Sequence, residues 1–257
     1  TIWVPKITQK DASGNISSFV VGPLPKGYGV TLGNSLRRIL LSSIPGTKVT
    51  WIKVSGVSHE YSTLPGIKDS IIDIILNLKD LVLKKEEVGV EWLRLTKSKS
   101  GKVTAADIKA PAGIEILNKD LYITEIDKDG LELNIDIRIE KGAGYLTVDE
   151  LKEREEDTEV FLIDTNFSPV SNVKYNIGQA RFGDIINLDS LEMDIETNGS
   201  ITSVDALKFS ANMLNSYFSV FNEDSLQVEG QFISNVAELI SKEKEEVQEE
   251  LEKETYT

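Results

Sequence analysis

The sequence predicts an α+β fold in which a helix-bearing unit is split by a mostly β insertion. Three observations carry that prediction. Leu131, Leu133, Ile135, Ile137 and Ile139 alternate strictly with Glu132, Asn134, Asp136 and Arg138, the period of a strand with one buried face. Leu32, Leu36, Ile39 and Leu40 recur at helical spacing near the start of the chain, and Leu207, Ala211, Leu214, Phe218 and Phe221 do so near its end. Between these two helices, residues 90 to 163 read as mostly strand and loop.

Taken in order, Ile2, Trp3, Val4 and Phe19, Val20, Val21 flank the turn-forming Asp11, Ser13, Gly14 and Asn15, which fits a hairpin over residues 1 to 22. Pro23, Pro25, Gly27 and Gly29 then predict a break in regular structure. The first helix is expected from about Thr31 to Ser43, stopped by Pro45 and Gly46. Residues 47 to 57 are rich in β-branched side chains, with Trp51 among them, and read as a strand. Ile67, Ile71, Ile74, Ile75 and Leu78 mark a second helix, and the Ser, Lys and Gly cluster at 97 to 102 marks a loop. Leu191, Met193 and Ile195 alternate with Glu192, Asp194 and Glu196 in one more strand, ending at Asn198 and Gly199. Thr202 and Asp205 have capping-box spacing and open a helix running to about Asn222. Its apolar stripe also takes in Ala206, Met213, Tyr217 and Val220, wider than one packing surface requires, so this helix is expected to pack on its own unit and on something else. Residues 241 to 257 hold three Lys and seven Glu, a solvated helix or a frayed linker.

Composition narrows the chemistry. The 257 residues carry 28 Lys+Arg against 42 Asp+Glu, a formal charge of −14, so an extended surface for a nucleic-acid backbone is not expected. With no Cys and one His, a thiolate or Cys/His zinc site, a disulfide framework, a Cys nucleophile and a two-histidine metal motif are excluded. No apolar run reaches the length of a membrane span and no secretory signal opens the chain, so a soluble, intracellular protein is expected.

The motifs that remain have plain readings. Gly27, Gly29 and Gly33 suggest a nucleotide-binding turn, but the spacing is GxGxxxG rather than GxGxxG. The alternative is a turn that lets the chain enter a helix tightly, with Gly33 allowing close packing. Ser58, His59 and Glu60 are adjacent in sequence, and neighbours on a strand point to opposite faces, so they make no triad. The acidic face of Glu132, Asn134 and Asp136 suits a hard cation or, more simply, solvent. Arg37 and Arg38 sit mid-helix, about 100° apart, so at least one leaves the core face and is available to a partner or to solvent.

The run GYGVTLGNSLRRILLSS from Gly27 to Ser43, continuing IPGTKVTWIKVSGVSHEYSTLPG and then DIILNLK, strongly resembles the α subunit of bacterial and plastid RNA polymerase. VTAADI at 103 to 108, KGAGY at 141 to 145, FSPV at 167 to 170, YNIGQAR at 175 to 181 and MDIETNG at 193 to 199 extend the resemblance in family order to about residue 228. It implies the amino-terminal domain of that family. Residues 1–45 and 168–228 would form a dimerisation subdomain of two long helices and an antiparallel sheet, with 46–167 inserted and 229–257 an acidic helical or flexible tail.

The implied role is a homodimeric scaffold that nucleates assembly of the β and β′ polymerase subunits, which hold the catalytic metal. No catalytic residue, metal or cofactor is then expected in this chain. Tyr28, Leu32, Ile39, Leu214, Phe218 and Phe221 would supply dimer contacts. Arg38 and Leu41, with Arg37 adjacent, match positions toward β, and Lys79 and the segment around Ile163 match positions toward β′. Tyr28, Val30 and Ala143 depart from usual family residues. Glu155, Glu156 and Asp157 resemble an acidic loop that some members offer to activators, although the stretch after it is shortened and a solvated loop is the default. Typical bacterial members continue into a DNA-binding domain, and this sequence stops inside what would be the linker, so direct DNA contact is not expected from these residues. The resemblance places the protein in the cytoplasm, nucleoid-associated through the polymerase, or in a plastid stroma. Two other classes compete: a nucleotide-binding enzyme using the glycine turn, and a free-standing acidic adaptor.

Overall fold

The computed structural model describes residues 4–57, 59–154 and 159–222. Strands β1 (Lys6–Ser13) and β2 (Ile16–Leu24) form a hairpin around Gly14, whose φ of 58° suits a residue without a Cβ; of the residues expected on the first strand, Val4 precedes β1 and Ile2 and Trp3 lie outside the described residues. The break predicted at Pro23 does not occur: β2 runs on to Leu24. A register shift between Asp189 and Leu191 of the neighbouring strand leaves Pro23 outside the paired positions, so its missing N–H costs no ladder bond. Helix α1 (Tyr28–Ser42) starts three residues before the expected Thr31.

The chain then leaves this unit. Strand β3 (Gly46–Val54) leads to α2 (Ile71–Lys79), whose start is fixed by a capping box in which the Ser70 side chain accepts from the Asp73 amide and the Asp73 carboxylate from the Ser70 amide. Ile67, expected on this helix, lies before it and bridges to Ile126. Next come β4 (Leu83–Lys85), β5 (Val90–Lys97), β6 (Gly101–Thr104), β7 (Ile108–Lys109), β8 (Ile114–Ile116), β9 (Tyr122–Ile126) and β10 (Leu133–Gly142). After them β11 (Tyr145–Leu146), the short α3 (Val148–Lys152), β12 (Phe161–Leu162) and β13 (Thr165–Asn166) close the excursion. Two 13-residue strands follow, β14 (Val170–Phe182) and β15 (Ile185–Thr197), of which the alternation at 191 to 196 revealed one part, and then α4 (Ser203–Ser219), capped by Thr202 as expected.

Among the described residues the pairings are antiparallel and fall into two main sheets. One has the order β1-β2-β15-β14, the other β7-β5-β10-β3-β4-β8 with β12 on β3. Each has its own core. Phe19, Leu24, Leu40, Ile44, Val173, Leu191, Ile195 and Ala206 pack between the first sheet and helices α1 and α4. The second core joins α2 to the second sheet through Ile74, Leu78, Leu93 and the four alternating residues Leu133, Ile135, Ile137 and Ile139 of β10. Those four are buried almost completely, each contributing roughly 1.5–3 kcal/mol; Leu131 falls outside the strand.

The two crossings between the units lie side by side. A Cβ on Gly46 would sit 2.0 Å from the carbonyl oxygen of Phe167, and the Phe167 ring packs against Gly142 at 3.0 Å from where a Cβ would be. The glycines at this junction set how closely the outgoing and returning chains approach. Further out, Asp69, one residue before the α2 cap, accepts from the Tyr122 hydroxyl at 2.6 Å and the Thr124 hydroxyl at 3.0 Å, tying α2 to β9. Burial, and then that carboxylate, push the Tyr122 phenol above its ordinary range.

Candidate functional site

Helix α1 lies against β14 and β15 because two of its turns carry glycine. A Cβ at Gly33 would meet the Tyr175 ring at 2.8 Å and Leu191 at 3.0 Å, and one at Gly29 would meet Ile177 at 3.0 Å. Gly27 precedes the helix with φ 89°, a left-handed conformation that an L side chain rarely adopts. The glycine series is therefore a helix entry and a packing face. Where a nucleotide phosphate would bind, the Asp189 carboxylate already accepts from the amides of Gly27, at 2.8 Å, and Gly29, at 3.2 Å. A phosphate there would displace the carboxylate and be repelled by it.

Beside α1 lies α4, and the two helices present an uneven surface. The N-terminal half of α4 is anchored through buried Ser203, Ala206 and Ser210. Its C-terminal half is not covered: Phe218 is 59% exposed, Tyr217 60%, and Phe221, in the turn that follows, 65%. Tyr28 at the start of α1 is 58% exposed. Ile39 and Leu214 are half-buried, and Leu32 is half-buried against the core of its own unit. The residues expected at a dimer contact thus share two adjacent helices, on which aromatic side chains stand in solvent. Exposed aromatics of this size are typical of protein contacts.

The two arginines separate. Arg37 donates from Nε to the carbonyl of Val173 on β14 at 3.2 Å, fastening α1 to the sheet, while the residue itself remains exposed. Arg38 is exposed, one helical position round, and Leu41 is half-buried with part of its side chain on the core. Lys79 is exposed at the end of α2. Ile163 is only 3% exposed and belongs to the second core, while its amide donates to the Thr50 carbonyl. Its side chain thus packs inside its own unit rather than standing on the surface.

Other candidates resolve locally. Asp136, on the strand face considered for a cation, is paired with Arg94 at 2.7 Å. His59 is exposed, with the Ser62 hydroxyl 2.9 Å from its Nδ1. Glu155, Glu156, Asp157 and the acidic segment 229–257 lie outside the described residues. No described helix is long and apolar enough to cross a membrane. Two features escaped sequence reading. Asp189 carries no local signal of its role, and the hairpin tip displays Phe182, Ile185 and Ile186, partly or mostly exposed, beyond the point where alternation could be read.

Residues 52–168 match the family described as RNA polymerase Rpb3/RpoA insert domain, spanning most of the excursion between the two chain crossings. The DNA-directed RNA polymerase subunit alpha of Heliobacterium modesticaldum is 44% identical over 219 residues, covering 84% of this chain and 69% of that relative. That of Syntrophomonas wolfei is 43% identical over 216 residues, 84% of this chain and 68% of the relative. That of Symbiobacterium thermophilum is 45% identical over 214 residues, 82% and 68%. Relatives 43 to 45% identical over 82 to 84% of this chain, together with the matched insert domain, place the chain in the DNA-directed RNA polymerase α-subunit family.

Proposed function

We propose that this chain is the assembly scaffold of its polymerase: two copies join through α1 and α4, and the dimer recruits the β and β′ subunits. On this reading it contributes no catalytic residue, metal ligand or cofactor site, and it acts in the cytoplasm or a plastid stroma wherever the polymerase does. The unit formed by 1–45 and 168–228 is the dimerisation subdomain, and 46–167 is an insertion carried on it. The observation that carries the reading is the uncovered aromatic half of α4 beside α1. Tyr217 and Phe218 stand in solvent on a helix whose other half is anchored, with exposed Phe221 in the turn just beyond it, and a second copy would bury them. Several fully buried side chains of this size, at roughly 1.5–3 kcal/mol each, can support a stable interface after ordering costs.

The direct test is native purification from the source cell: a tagged chain should bring down β and β′ in stoichiometric amount. A homogeneous preparation without them would rule the scaffold out. Within that assembly, Arg38 is exposed, whereas Arg37 is also tied to β14 through its Nε, so Arg38 is the cleaner probe of a partner contact. Arg38→Ala should leave the dimer intact and weaken capture of β by about 2 kcal/mol or more, near thirtyfold, as for truncation of a charged group at a partner surface. A quantitative pull-down with purified β checks it, and full β binding by the variant would remove Arg38 from that contact.

A further inference from the structure

The structure assigns Asp189 a positioning role: a carboxylate supplied by strand β15 caps α1 and thereby fixes the residues that open the dimer face. This rests on the dimer reading above. A helix start leaves amide donors without partners, and a Ser, Thr, Asp or Asn immediately before the helix usually satisfies one of them. Here that position is Gly27, which has no side chain, and the first turn of α1 contains no acidic residue. The donors find partners elsewhere. The amide of Tyr28 donates to the Pro25 carbonyl at 3.1 Å, and the amides of Gly27 and Gly29 both donate to Oδ2 of Asp189. Asp189 is itself held by the sheet, opposite Leu24 in the β2–β15 register. Gly29 completes the fit, because a Cβ there would approach the same carboxylate to 3.2 Å.

What the cap fixes is the placement of Tyr28 and Val30, the two residues flanking Gly29, both exposed. Without it the first turn frays, and the cost of ordering these side chains falls on association instead of on folding. The negative charge also complements the positive end of the helix dipole.

The test compares Asp189→Ala and Asp189→Asn with the unmodified chain and with Ile39→Asp, reading the dimer dissociation constant by sedimentation and the fold by far-UV circular dichroism. Asp189→Ala should retain the fold and raise the dissociation constant about tenfold, in the range that loss of a helix cap produces. Asp189→Asn keeps an acceptor oxygen without the charge and should fall between the two. If Asp189→Ala does not fold, the asparagine variant carries the test on the same readout. Variants that lose thermal stability while dimerising within twofold of the unmodified chain would show a purely structural cap and overturn the positioning role. An Ile39→Asp chain that stays dimeric would instead take Ile39 out of the interface, a failure of the dimer reading that is separate from the cap.

Discussion

Ile39→Asp is expected to convert the proposed dimer into a folded monomer. Ile39 is half-buried in the single chain and stands apart from the side chains that build the core beneath α1, so the substitution leaves that core unchanged. In the dimer the new carboxylate would enter an apolar contact. An ionised group buried there without a partner costs several kcal/mol, so the dissociation constant should rise by more than about 100-fold. Sedimentation across a range of concentrations measures this directly, with circular dichroism confirming the fold. A dimer of unchanged strength would take Ile39 out of the interface.

Gly46→Ala is expected to be the most destabilising single methyl that can be added at the junction of the two units. The new Cβ would lie 2.0 Å from a backbone carbonyl oxygen, and a backbone atom cannot rotate out of the way as a side chain can. Either the outgoing or the returning crossing must shift. The expected cost is about 3 kcal/mol or more, lowering the melting temperature by roughly 6 to 12 °C for a domain of this size. Gly178→Ala provides the control. Its Cβ would have 3.9 Å to the nearest atom, and that substitution should stay within about 0.5 kcal/mol of the original. Equal melting temperatures for the two variants would refute the close approach at Gly46.

How much of this was legible in the sequence depends on how local the determining contact is. The buried face of β10 was readable because a period of two records the same decision at Leu133, Ile135, Ile137 and Ile139. The start of α4 was readable because Thr202 and Asp205 cap it from within the same turn. The start of α1 was misplaced for the opposite reason: its cap is Asp189, on a strand far along the chain, and nothing beside Tyr28 announces it. Ile67 was drawn onto α2 by its apolar spacing, although the Ser70 and Asp73 pair is a local signal that places the start correctly. Arg37 and Arg38 could be told apart only once the sheet beneath α1 was in place, since their difference is which one reaches Val173. The burial of Ile163 was equally hidden, because a two-residue strand such as β12 has no period to read.

The adjacent crossings at Gly46 and Phe167 bear on the order in which the chain folds. Helix α1 and strand β14 meet only if a loop of roughly 130 residues is closed, and a flexible loop of that length is slow to close. Once the inserted unit has folded, its two ends are already in contact and the effective loop shrinks to a few residues. By the logarithmic length dependence of loop closure this lowers the entropic barrier by about 3 kcal/mol. The insertion therefore works as a folding template for the unit that surrounds it, and slowing its folding should delay the docking of α1 on β14.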